Sequence, residues 1–193
     1  MQILIADDEA LTRMGLQAML REMGHTIIAT AADGPTALEL ACEMRPEVAI
    51  LDIKMPGMDG LSGAGAIAKH CPLPVVMLTA YSERDLVEQA AATDTVQAYL
   101  VKPVREADLE PVLELAATRF AEWQALQREA SDRREALVTR DLVARAKHAL
   151  MEAENRSERE AFLEIQHRAR HERRTMRQVA EEILGQFDIS SLL

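Results

Sequence analysis

Five short apolar runs, spaced by segments of helix length, constrain this chain more than any other feature. They are "ILIAD" (3–7), "HTIIAT" (25–30), "VAILD" (48–52), "VVMLT" (75–79) and "AYLVK" (98–102). Each is too short for a buried helix and suits a strand covered on both faces. The first intervening segment carries Leu16, Met19, Leu20 and Met23 on one helical face and stops at Gly24. Strands alternating with helices imply right-handed crossovers and a doubly wound, five-stranded parallel α/β sheet. Such sheets bind ligands at the carboxyl ends of their strands.

After Pro103 the strand signal vanishes. Helix formers without glycine run from about Asp108 to Leu137, and Leu109, Ala116, Trp123, Ala130 and Leu137 recur every seven residues. A long coiled-coil helix is expected there, although Arg119 and Arg133 occupy its second seam position. Three shorter helical segments follow. The first covers Leu137 to Met151, the second opens on a capping box at Ser157 and Glu160, and the third opens on another at Thr175 and Gln178 and ends at Gly185. The expected organisation is an α/β domain over 1–117, a helical coiled-coil linker over 118–137 and a small all-α three-helix bundle over 138–193.

Charge divides the chain in the same place. Residues 1–117 hold 8 Lys+Arg against 18 Asp+Glu, whereas residues 118–193 hold 14 of each. Within the neutral half, "RARHERRTMR" (168–177) gathers five arginines around one glutamate, a strip suited to an anionic partner. No run of about 18 apolar residues is present to span a bilayer, and "QILIAD" does not read as a signal peptide, so a cytoplasmic protein is expected. Cys42 and Cys71 have no cysteine or histidine at metal-ligand spacing and are read as reduced thiols. The aromatic content of 3% argues against an RNA reader built on stacking.

The strand ends carry the chemistry. Asp7 and Asp8 close the first run and Asp52 the third, and in a doubly wound sheet these strands are neighbours. Three carboxylates in one crevice raise each other's pKa unless a cation is present, and short all-oxygen ligand sets suit Mg²⁺. Thr79 and Lys102 end the fourth and fifth runs, adding a hydroxyl and an ammonium. Carboxylate nucleophile, metal, hydroxyl and lysine are the parts that phosphoryl transfer to an aspartate needs.

"ADDE", "LDIKMPGMDG", "LTA" and "YLVKP" resemble the CheY-like, flavodoxin-like receiver domain of two-component response regulators. The resemblance implies that Asp52 accepts a phosphoryl group from a sensor histidine kinase, with only self-directed phosphotransfer and autodephosphorylation rather than enzymatic turnover. It also implies that Asp8, Asp52 and the backbone carbonyl of Lys54 ligate Mg²⁺ with Asp7 in support. Thr79 and Lys102 would hold the phosphoryl oxygens, and Thr79 and Tyr99 would form the switch.

The tail from Leu142 resembles the ANTAR domain, a three-helix RNA-binding module of transcription antiterminators. The matching positions are Ala146, Lys147, Leu150 and Met151, then Ser157, Glu158, Ala161 and Phe162, then Ala169, Arg174, Val179 and Ala180. Departures are His148 and Asn155 where glycines are usual, and Arg168 and Arg170 at positions usually apolar. The resemblance implies binding to stem-loops in nascent leader RNA that blocks terminator formation. Lys147, Arg168, Arg170, Arg173, Arg174 and Arg177 are the candidate RNA contacts, and a homodimer through the 109–137 helix would pair two modules on one transcript. A DNA-binding or protein-binding helical output is the alternative.

Overall fold

A computed structural model of the protein describes residues 1–80 and 95–190. Five parallel strands, β1 (Gln2–Ala6), β2 (Thr26–Ala31), β3 (Val48–Asp52), β4 (Val75–Ala80) and β5 (Val96–Lys102), lie in the order β2-β1-β3-β4-β5. Helices α1 (Ala10–Glu22), α2 (Gly34–Met44) and α3 (Gly60–His70) connect the first four strands. The crossover expected between β4 and β5 falls on residues 81–94, outside the described residues. The chain continues as α4 (Glu106–Glu154), α5 (Glu158–His171) and α6 (Met176–Ser190).

Strand alternation sorts the core into two layers. Leu4, Ala6, Ala49, Leu51 and Met77 face Ala37 and Ala41 of α2 and Ile67 of α3. Ile3, Ile5, Ile50, Val76 and Leu78 face Leu16 and Leu20 of α1 and Leu109, Leu113 and Ala116 of α4. All five residues of β3 are buried, and side chains such as Ile50 and Leu51 each contribute roughly 2 kcal/mol by leaving water. The central strand that ends in Asp52 is thereby held from both sides.

Two compact units divide the chain, Met1–Ala125 and Leu126–Leu193. The second has its own core, built from Val143, Ala146 and Leu150 of α4, Ala161, Ile165 and Ala169 of α5, and Val179, Ala180 and Ile183 of α6. Both expected capping boxes form. Ser157 and Glu160 exchange hydrogen bonds at the start of α5, and Thr175 and Gln178 do so before α6. Asn155 closes α4 at φ 50° and Arg173 closes α5 at φ 54°, both left-handed.

Several expectations change. The helices expected to meet at Leu137 form one uninterrupted α4, because "ALVTRDLVARA" contains no glycine or proline to stop it. The last helix passes through Gly185 to Ser190, since one glycine lowers helix stability without ending a helix whose flanks favour it. The seven-residue repeat is not one seam. Leu109 and Ala116 are fully buried in the first unit's own core, and Trp123 stacks on Phe120 at 5.4 Å, while Leu126 and Leu137 are exposed. The cysteines, expected as reduced thiols, form a disulfide instead, joining Cys42 near the end of α2 to Cys71 just after α3. Sequence spacing hid this pair, because α2 and α3 cover the same sheet face and bring the two Cα atoms to 5.2 Å.

Candidate functional site

The turn after β1 delivers two carboxylates to the carboxyl edge of the sheet. Asp7 is fully buried, and its Oδ1 accepts the Glu9 backbone N–H at 2.8 Å. Asp8 is exposed beside it. Arg13, one turn into α1, donates to the carbonyls of Asp7 at 2.5 Å and Asp8 at 3.1 Å, clamping this turn. Arg13 is not among the residues singled out from the sequence, where its one signal is a basic residue five and six positions after the paired acids, on the first helical turn.

Asp52 ends β3 and is 5% exposed. The loop that follows is pinned at both ends. Gly60 donates its N–H to the Ile53 carbonyl at 2.8 Å, and the Pro56 carbonyl accepts from Met58 at 2.8 Å and Gly34 at 3.4 Å. A Cβ on Gly60 would lie 2.0 Å from the Asp52 carbonyl oxygen, so α3 can begin there only with glycine. Gly57, at φ 75°, turns the loop. The Asp59 side chain caps α3 by accepting the Ser62 N–H at 2.7 Å.

Lys102, at the end of β5, crosses the crevice. Its Nζ lies 2.7 Å from Asp7 Oδ2 and 2.9 Å from Asp52 Oδ1. The peptide bond to Pro103 is cis. Burial alone would lower the lysine pKa, but its hydrogen bonds to Asp7 and Asp52 overcome this and hold it above its ordinary value. Asp52 moves upward too, chiefly through burial and against the pull of Lys102, with Asp7 and Asp8 adding repulsion. Thr79 is 4% exposed at the end of β4 and donates its hydroxyl to the Ala80 carbonyl at 3.0 Å. Tyr99 is half-buried against the α2–α3 layer, and burial raises its phenol pKa.

Ligand atoms of Asp7, Asp8 and Asp52 all lie within 4.8 Å of one another. Among the described residues, the Lys102 ammonium is the cation paired with this set, and the buried Asp7 Oδ2 has that ammonium as its partner at 2.7 Å. This all-oxygen, under-compensated set fits a hard divalent cation such as Mg²⁺. Lys54 follows with an exposed side chain. Asp7, Asp8, Asp52 and Lys102, picked out by strand-end position, thus meet in one crevice.

The candidate RNA contacts are less uniform. Arg168 pairs with Glu164 at 2.7 Å, Arg177 with Glu181 at 2.8 Å, and Arg174 with both Glu172 and Glu182. Lys147 reaches across to Glu158 at 2.6 Å, lowering the pKa of that glutamate. Arg170 and Arg173 are exposed and have no ion pair among the described residues. The basic strip of the sequence is therefore largely neutralised by glutamates on its own helices.

Two family models match the chain: the response regulator receiver domain over residues 3–114 and the ANTAR domain over residues 131–184. The transcriptional regulatory protein PdtaR of Mycobacterium tuberculosis is 48% identical over 183 residues, covering 95% of this chain and 89% of that protein. Among solved structures, the receiver domain of NarL from M. tuberculosis is 33% identical with a TM-score of 0.56, covering 60% of this chain and 94% of that one. The receiver domain of the sensor histidine kinase PA1611 from Pseudomonas aeruginosa, solved with magnesium in its active-site cleft, is 28% identical with a TM-score of 0.53, covering 61% of this chain and 97% of that one.

Proposed function

Because the chain belongs to the response regulators, with a receiver domain followed by an ANTAR RNA-binding domain, we propose that it is a transcription antiterminator switched by phosphorylation of Asp52. The observation that carries the phosphorylation half is the Lys102 ammonium lying between Asp7 and Asp52 beside Asp8. A carboxylate fixed at a strand end can attack the phosphorus of a kinase phosphohistidine in line. The new P–O bond forms at Asp52 as the P–N bond breaks, and the departing imidazole takes up a proton. Lys102 holds a positive charge where the phosphoryl oxygens would arrive, and the Thr79 hydroxyl stands near the neighbouring strand end to donate to one of them. Asp7, Asp8, Asp52 and the Lys54 carbonyl would hold Mg²⁺, which neutralises developing charge on the transferred group.

For the output, the match to the ANTAR domain supports binding of stem-loops in leader transcripts, with two modules on one RNA. A homodimer contact through the 109–137 helix would use its exposed apolar residues, among them Leu115, Leu126 and Leu137, since Leu109 and Ala116 are buried within the first unit. A cytoplasmic setting is consistent with this role, and among the described residues no helix is long and apolar enough to cross a membrane.

Incubation with acetyl phosphate and Mg²⁺, read on a phosphate-affinity gel, tests the first half. A shifted band is expected for the native chain and none for D52N; an equal shift in D52N overturns the assignment. A gel shift on a two-hairpin leader RNA, with scrambled loops and duplex DNA as competitors, tests the second. Loop-specific binding strengthened by beryllofluoride is expected, whereas preference for the duplex would favour a DNA-binding output.

A further inference from the structure

We propose that an unpaired nucleobase of the RNA is received in a groove where α4, Phe162 of α5 and Met176 of α6 meet, and that this groove, rather than the arginine strip, carries loop recognition. The proposal rests on the RNA-binding reading above and deepens it by naming the part of the ligand that is bound and where.

The groove encloses roughly 790 Å³ and lies wholly within the second unit. Its apolar lining includes Val143, only 9% exposed, with Ala136, Ala144 and Met176. Phe162 forms part of the wall and is 40% exposed, although its neighbours Ala161 and Ile165 are fully buried. The bundle core uses positions 161, 165 and 169 of α5 and leaves the phenyl ring over the groove. The low aromatic content leaves no wide stacking platform, but a single aromatic face that the core does not occupy, beside Val143 and Met176, suffices for one base.

The rim is polar and of both signs. Arg140 is exposed and has no ion pair among the described residues, Lys147 is held in place by Glu158 at 2.6 Å, and two carboxylates, Asp132 and Glu135, line the same groove. Phosphate is a poor match for a rim that includes a carboxylate. A base edge is a good one, because its keto oxygens and ring nitrogens accept from arginine or lysine while its amino groups donate to a glutamate. In the strip, by contrast, three of the five guanidiniums already sit on glutamates and would have to release them before meeting phosphate.

The test uses the full-length chain and a two-hairpin RNA with 2-aminopurine replacing single loop bases. Wild type is expected to bind and to change the fluorescence of at least one loop position. F162L should weaken binding about tenfold and abolish that change, R140Q should weaken it several-fold, and R170A/R173A should alter affinity less than about threefold. Unchanged affinity and fluorescence in F162L and R140Q, or a larger loss in R170A/R173A, would overturn the proposal. Sedimentation of the same variants separates a second occupant: loss of self-association in F162L at constant protein concentration would assign the groove to another copy of this chain. Should F162L lose its helical melting transition, R140Q and the wild-type fluorescence decide the matter. Failure of wild type to bind any hairpin would instead remove the RNA reading itself.

Discussion

Asp52 is the residue on which the receiver's chemistry turns, and its position has an energetic cost. Burial lifts its pKa above the ordinary carboxylate value of 3.8 despite the Lys102 ammonium 2.9 Å away. A raised acid stabilises the fold only while it is protonated. That contribution is complete below the unfolded pKa and is lost as the pH rises through the folded one. At neutral pH the metal-free protein consequently carries a buried, partly compensated charge. D52N is expected to raise its melting temperature by a few degrees, on the order of 1 kcal/mol. The gain should shrink as the pH is lowered towards 4, roughly the usual carboxylate value. Calorimetry across this range in the presence of a chelator checks the prediction; a lower melting temperature for D52N at neutral pH would mean that Lys102 already compensates the charge.

At the scale of elements, the site depends on how closely α3 approaches the end of β3. Gly60 opens that helix where a Cβ would stand 2.0 Å from the Asp52 carbonyl oxygen and 2.8 Å from Met77 Cε. Backbone cannot yield as a side chain can, so G60A is expected to cost about 3 kcal/mol and to slow phosphorylation, whereas G65A on the open side of the same helix should be near neutral. Chemical denaturation and the acetyl phosphate assay read both. These details separate what the sequence discloses from what it conceals. Strand-end acids were legible because a parallel sheet fixes where every strand points, and the capping boxes were legible because their chemistry is local. Arg13 on the Asp7 and Asp8 carbonyls, the Cys42–Cys71 bond and the neutralised arginine strip were not. Each rests on a side chain whose partner is chosen by packing or by rotamer, and hydrophobic periodicity carries no record of it.

In the whole molecule, an acidic first half and a neutral second half are joined by one element that contributes to both cores. Leu109, Leu113 and Ala116 of α4 are buried in the first unit, and Val143, Ala146 and Leu150 of the same helix are buried in the second. No glycine or proline interrupts the stretch between them. An α-helix advances about 100° per residue, so residues added within it change its helical phase as well as its length. Inserting one or two alanines between residues 126 and 136 turns one buried stripe against the other by about 100° or 200°, while seven alanines leave a mismatch near 20°. If phosphorylation reaches the RNA module along α4, the beryllofluoride-dependent gain in RNA affinity should vanish in the short insertions and return in the seven-residue one. Equal gains at every insertion length would show that the helix acts as a tether. The linker would then be read by its length alone, where the continuous helix predicts that it is read like the teeth of a gear, by remainder.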